Sequence, residues 1–139
     1  MPEIARVLDV ISDEITLTML YIIIDKEQTR NSLRNTLGLS RKQFYDRILK
    51  LRRAGLVKRI SSKYVITSFG RVAFEAQLRV DNAMGYITKL KLIDTLTNTD
   101  IPGPEFAKLV DELIEDNHIK HLILNAKIDR QSKSIEGIK

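Results

Sequence analysis

Only one residue, Leu39, stands between Gly38 and Ser40, and that spacing constrains the fold more than any other feature of the chain. Gly38 suits the left-handed backbone that ends a helix, while the Ser40 hydroxyl can accept from a free amide in the first turn of the next one. Upstream, "TRNSLRNTLG" opens on Thr29, another cap-type hydroxyl. Leu33 and Leu37, four residues apart, share its inner face and leave Arg30, Arg34 and Asn35 outside. Downstream, Phe44, Ile48 and Leu51 recur at i, i+4 and i+7 in a helix that runs through Ala54, with Gly55 at the stop position. Arg41, Lys42, Gln43, Tyr45, Asp46 and Lys50 are left largely on its other faces.

Two helices joined by so tight a turn make a helix-turn-helix. After Gly55, "LVKRISSKYVIT" is rich in β-branched residues, with Ser61, Ser62 and Lys63 interrupting two strand-like runs. It predicts a hairpin with arms Val57 to Ile60 and Tyr64 to Thr67, its tip carrying Arg59 and Lys63. Thr67 or Ser68 can cap the next helix. Ahead of the helix-turn-helix, "VISDEITLTMLYIII" is too densely apolar for a one-faced surface helix, so a largely buried helix is expected, capped by Ser12 or Asp13. Ile4, Val7, Leu8 and Ile11 place a short helix before it.

From Phe69 to Leu96 the pattern is helical. At roughly 100° of rotation per residue, Val72, Ala76, Val80, Ala83, Ile87 and Leu90 fall in a sector about 80° wide, with Phe74, Leu78, Leu92 and Leu96 near the far side. A helix with two apolar stripes has two surfaces to bury, one against its own domain and one against a second chain or the C-terminal segment. Gly85 marks a point where it can break. "TNTDIPGPEF" is a linker by composition, with Pro104 placed for the first turn of the helix "EFAKLVDELIED". "HIKHLILNAKI" suits a short helix or a strand, and the polar end "DRQSKSIEGIK" is expected to fray.

Charge follows this layout. Residues 1–25 carry one basic residue against five acids, a net −4, and residues 72–139 carry nine against eleven, a net −2. Residues 26–71 carry thirteen against two, a net +11 in a chain whose total is only +5. A polyanion is the natural partner of such a field. There is no cysteine, which excludes disulfides, thiolate metal sites and cysteine nucleophiles. The N-terminus lacks the pattern of a signal peptide and no stretch reaches membrane-spanning length, so a soluble, cytoplasmic protein without membrane contact is expected.

"ISDEITLTMLYII", "LRNTLGLSRKQFYDRILKLRRAGLVKR" and "KYVITSFGRVAFEA" resemble, in order and spacing, the first helix, the helix-turn-helix and the wing with its following helix of ArsR-like and MarR-like winged-helix transcription regulators, archaeal ones in particular. The resemblance covers residues 11 to 80. Together with the helical patterns further along the chain, it gives the expectation of a mainly α fold with a small β-hairpin wing: a winged helix-turn-helix over residues 1–70, a long dimerisation-type helix over 71–97 and a C-terminal helical appendage over 98–139. It also implies that the helix Arg41 to Ala54 enters the DNA major groove and that the wing lies on a phosphate backbone or in a minor groove. Tyr45 stands where such proteins often carry a small hydroxyl residue, and Asp46 puts an acid on the groove-facing helix.

On that reading the base-edge candidates are Arg41, Lys42, Gln43, Tyr45 and Asp46, since arginine pairs well with guanine and glutamine with adenine. Asp46 either accepts from a cytosine amine or orients Arg41 or Arg47, and orientation is the simpler role. Arg30, Arg34, Ser40, Arg47, Lys50, Arg59, Ser61, Ser62 and Lys63 are the phosphate and wing candidates. Arg52 and Arg53 are explained by the helix dipole alone. Val72, Ala76, Val80, Ala83, Ile87 and Leu90 are the dimerisation candidates, because two-fold symmetry suits paired half-sites. The expected function is a homodimeric, sequence-specific double-stranded DNA-binding regulator. The alternatives are an architectural or replication-associated protein that binds nucleic acid without sequence preference, and a protein-docking module.

Enzyme chemistry has no support, since the chain has neither a phosphate-cradling glycine loop nor a metal-ligand signature. His118 and His121, near Glu115 and Asp116, read as surface histidines rather than a metal site, and no cofactor is called for. Residues 98–139 leave room for an effector or a protein partner.

Overall fold

Asp13 separates two helices, α1 (Glu3–Ser12) and α2 (Glu14–Asp25), in the computed structural model, which describes residues 3–97 and 99–137, with side chains as far as Lys127. The Asp13 backbone is extended, and its carboxylate accepts from the Thr16 amide at 2.9 Å and the Thr16 hydroxyl at 2.7 Å. A free donor of the new helix is thereby satisfied. α2 buries Thr16, Met19, Leu20 and Ile23, while Ile15, Tyr21, Ile22 and Ile24 are partly buried, as its dense apolar content requires.

The tight turn joins α3 (Arg30–Leu37) to α4 (Arg41–Arg53). Gly38 takes φ 63°, which lets its own amide and that of Leu39 turn back to the carbonyls of Asn35 and Arg34. Three strands arise from local chemistry of different strengths. β2 (Val57–Ile60) and β3 (Lys63–Ile66) form the expected hairpin, with Ile60 opposite Lys63 and Ser61 and Ser62 as its two-residue tip. β1 (Gln28–Thr29) pairs antiparallel with β3, giving the order β1-β3-β2. No periodicity announces a strand two residues long, and Thr29 also caps α3 by accepting from the Ser32 amide.

The second arm ends one residue before the expected Thr67, because that side chain is used elsewhere. The Thr67 hydroxyl donates to the Gly55 carbonyl at 2.5 Å and accepts from the Gly70 amide at 2.9 Å, so it caps α5 (Ser68–Met84) and ties that helix to the loop before β2. Gly70 has no room for a side chain: a Cβ there would overlap the Leu56 carbonyl oxygen and lie 2.8 Å from Ile66 Cγ1. Contact at this distance brings Phe74 into a core with Met19, Leu33, Phe44, Leu51 and Tyr64. Burying each of these large side chains contributes about 1.5–3 kcal/mol.

The chain divides into two compact units, Met1–Leu78 and Arg79–Lys139. In the second, the helical run expected to Leu96 is interrupted. α5 ends at Met84, Gly85 and Tyr86 form a turn, and α6 (Ile87–Thr97) begins. Glycine lowers the cost of leaving the helix there, and the turn brings Tyr86 and Leu90 against the Ile93, Phe106 and Val110 core of this unit. α7 (Gly103–Leu113) carries Pro104 in its first turn, and α8 (Asn117–Gly137) is capped by Asp116, whose carboxylate accepts from the amides of His118 and Ile119. The polar end expected to fray continues the helix to Gly137. Ile138 and Lys139, and Asn98 of the linker, lie outside the described residues. Among the described residues no helix is long and apolar enough to cross a membrane.

Candidate nucleic-acid interface

α4 is built to present one side outward. Phe44, Ile48 and Leu51 are buried, and at roughly 100° per residue the opposite side carries Lys42, Asp46, Leu49 and Arg53, flanked by Tyr45 and Lys50. All six are exposed. Arg41 is exposed too, but it borders one edge of the buried stripe, and Arg47 borders the other. The same arithmetic applied to the bare sequence identifies Leu49 and Arg53 as outward residues, which attention to charge and helix dipole passed over.

Several candidates already have partners within the chain. Ser40 and Gln43 form a capping box: the Ser40 hydroxyl accepts from the Gln43 amide at 3.2 Å, and the Gln43 side-chain oxygen accepts from the Ser40 amide at 3.1 Å. A glutamine reading adenine needs both ends of its carboxamide, so Gln43 is held for the helix start instead. Tyr45 accepts a 2.6 Å hydrogen bond from Arg30, which crosses from α3, and its ring meets Phe44 edge-on. Arg34 is half-buried, and its Nε donates to the Leu39 carbonyl at 3.4 Å inside the turn.

Arg47 donates to Asp13 at 3.1 Å and, through Nη1, to the Gln43 carbonyl at 3.4 Å. Its side chain is 23% exposed. Asp46, expected to orient Arg41 or Arg47, makes neither a side-chain hydrogen bond nor a salt bridge among the described residues; Asp13 holds Arg47 in its place. The reason is angular, since Asp46 lies on the outward side and Arg47 on the inward edge. The Asp13 carboxyl is held below its ordinary range, first by the Thr16 hydroxyl, then by the Thr16 amide and, more weakly, by Arg47, against an opposing push from burial.

In the wing, Arg59, Ser61, Ser62 and Lys63 are all exposed. Lys63 forms a 2.9 Å ion pair with Glu27, which precedes β1. Ser61 sits at φ 55°, a left-handed conformation that costs a residue with a Cβ. Lys58 is exposed on β2.

The dimerisation candidates do not form one stripe. Val72, Ala76 and Val80 lie exposed along α5, with Phe69 and Met84 beside them, and Ile87 is exposed on α6. Ala83 and Leu90 are partly buried in the core of the second unit, because the turn at Gly85 redirects the chain. Val72 is 67% exposed and Met84 65%, whereas Phe74, on the other side of α5, is 8% exposed. His118 and His121 are both exposed on α8.

No protein-family model matches the chain, and no curated protein matches it in sequence. Solved structures do resemble it. One is the homodimeric winged helix-turn-helix DNA-binding domain of a possible ArsR-family transcriptional regulator from Mycobacterium bovis, 20% identical, covering 58% of this chain and 80% of that one with a TM-score of 0.50. Others are reduced HlyU from Vibrio cholerae, at 23% identity, 56% and 87% coverage and a TM-score of 0.46, and an ArsR-like transcriptional regulator from a Rhodococcus species, at 20%, 72% and 95% coverage and 0.48. At 20% identity the likeness to the Mycobacterium bovis domain is one of fold. A tight helix-turn-helix, a hairpin completed by a short third strand and a helix returning over them make the fold of this chain a winged helix-turn-helix, followed by further helices.

Proposed function

We propose that the chain is a transcription regulator that binds double-stranded DNA sequence-specifically as a homodimer, with α4 in the major groove and the β2–β3 wing on the backbone or in a minor groove. The observation that carries this reading is the exposed basic face of α4 and the wing, set within a segment of net charge +11. Arg41, Lys42 and Asp46 are the base-edge candidates with no side-chain hydrogen bond or salt bridge among the described residues, and Tyr45, bonded to Arg30, stands beside them. Lys50, Arg53, Arg59 and Lys58 are suited to phosphate. The Mycobacterium bovis neighbour is described as homodimeric and DNA-binding, and the proposal extends both properties to this chain.

The exposed side of α5, with Phe69, Val72, Ala76, Val80 and Met84, supports a second copy as the other half of the assembly. Five apolar side chains on one helix side are costly to leave in water. A Val80→Glu chain is expected to sediment as a monomer where the native chain sediments as a dimer. Unchanged sedimentation would move the contact elsewhere.

Footprinting on DNA flanking its own gene tests the main reading. A protected site with approximate two-fold symmetry is expected; binding indifferent to sequence at every salt concentration would remove it. That second outcome is the architectural reading, which has one observation in its favour: the commitment of Gln43 to the helix cap leaves few neutral hydrogen-bonding groups to read bases. Alanine at Arg41 and Lys42 separates the two. A specific reader loses its preference and keeps its background affinity, while a non-specific binder loses affinity for all sequences alike.

A further inference from the structure

Arg47 has the charge of a phosphate contact and the geometry of something else. The Thr16 side chain, at 1% exposure, is the buried polar residue of the described core, and its hydroxyl and amide both donate to Asp13. Both bonds fall on Oδ2, the oxygen that Arg47 also reaches, and so fix where that oxygen lies. Arg47 then donates its Nε to Asp13 and its Nη1 to the Gln43 carbonyl, and Gln43 closes the capping box with Ser40. The result is an unbroken chain of hydrogen bonds from the start of α2 to the start of α4, where Arg41 and Lys42 stand.

We propose that Arg47 and Asp13 are a positioning pair that sets the roll of α4 against α2, and that Arg47 serves sequence preference through this placement rather than by touching phosphate. The proposal rests on the DNA-binding reading. Its physical basis is leverage. Side-chain tips lie roughly 5–6 Å from a helix axis, so a roll of about 10° moves them by about 1 Å, a displacement that matters to the aligned hydrogen bonds of base recognition. The apolar stripe of Phe44, Ile48 and Leu51 resists separation from the core but has no directional bond to oppose such a roll, whereas a guanidinium held at two of its nitrogens does. Asp13 is the partner that sequence reading misses, because it lies 34 residues upstream and outside the helix-turn-helix.

The experiment uses the full chain. A preferred duplex is first selected from a random pool, and affinities for it and for a scrambled duplex are then measured over a salt series for the native chain, Asp13→Asn, Arg47→Gln and Arg47→Lys. Asparagine remains an effective helix cap, and melting curves confirm that each variant is folded.

Asp13→Asn removes a negative charge, so electrostatics alone would leave scrambled-sequence affinity equal or higher. The expected result is instead a roughly tenfold loss of preference, the size of one weakened base contact. Arg47→Gln is expected to lose preference to the same extent with its salt dependence unchanged, and Arg47→Lys to restore little, since an ammonium cannot span both acceptors. Two results would overturn the proposal. One is an Arg47→Gln chain that loses affinity for both duplexes, with a salt slope smaller by about 0.9, as for one lost phosphate contact. The other is a preference that survives Arg47→Gln. A native chain that selects no preferred duplex removes the sequence-specific reading and this proposal together, and that result precedes any variant.

Discussion

Helix α4 and the β2–β3 wing both carry basic residues outward, and each is tied to the rest of its unit by an ion pair of a different kind. Arg47 of α4 is mostly covered, bonds through two nitrogens and meets a carboxylate already fixed by Thr16. Lys63 of the wing is a point charge on a flexible stem, and it and Glu27 are each 50% exposed. Each pair has an acid near half exposure, 46% for Asp13 and 50% for Glu27, so water and salt screen both, and the covered Arg47 makes the first the less screened. The comparison teaches that equal charge does not give equal placement: Arg47 is bonded both to Asp13 and to its own helix, while Lys63 makes one exposed contact.

Four measurements can break or sharpen this contrast, from the largest expected effect to the smallest. Phe44 is fully buried and meets Tyr64 of β3 with ring centroids 6.0 Å apart, so it joins the two regions. Phe44→Ala is expected to cost about 3–5 kcal/mol in urea unfolding, because the cavity opens where helix and sheet meet. A cost under about 1 kcal/mol would show that this core is loosely packed. Ser40→Ala acts on α4 alone, removing half of the capping box; about 1 kcal/mol is expected from the same measurement, with the hairpin unaffected.

The third measurement is acid titration. Because the folded chain holds the Asp13 carboxyl below its ordinary value, the unfolded chain takes up the proton first as pH falls. The stabilisation is therefore complete above about pH 4, the ordinary aspartate value, and is lost as pH drops through the lowered one. The difference in unfolding midpoint between the native chain and Asp13→Asn should shrink across that window; a constant difference would mean that the ionised form is not what matters. Smallest is Glu27→Gln, which unties the wing. Its expected cost is under about 0.5 kcal/mol with no change in sequence preference, as befits a half-exposed pair. A larger cost would place the wing's tie on a par with that of α4.

Much of this was legible in the residues because it is local. Ser40, Gly38 and Thr29 act within one turn of their own positions, and Phe44, Ile48 and Leu51 need only the helical period to fall on one side. What escaped was set by partners distant in sequence. β1 exists because Thr29 lies against Lys63, and the Arg30 guanidinium has a partner because Tyr45 stands across the turn. The division of the long helical run was open at Gly85 in the sequence, yet only the packing of Tyr86 and Leu90 under Ile93 and Phe106 shows why the chain turns there.

The sequence by itself determined the helix-turn-helix, the position of the wing and the concentration of positive charge around both, since caps, periodicity and charge are written residue by residue. The tertiary structure decided which of those charges remain available. Two side chains of equal charge and similar spacing, Arg41 and Arg47, end in different surroundings because one edge of α4 lies against the start of α2. A hydrogen bond across 34 residues depends on how two helices pack, and no local pattern carries that information.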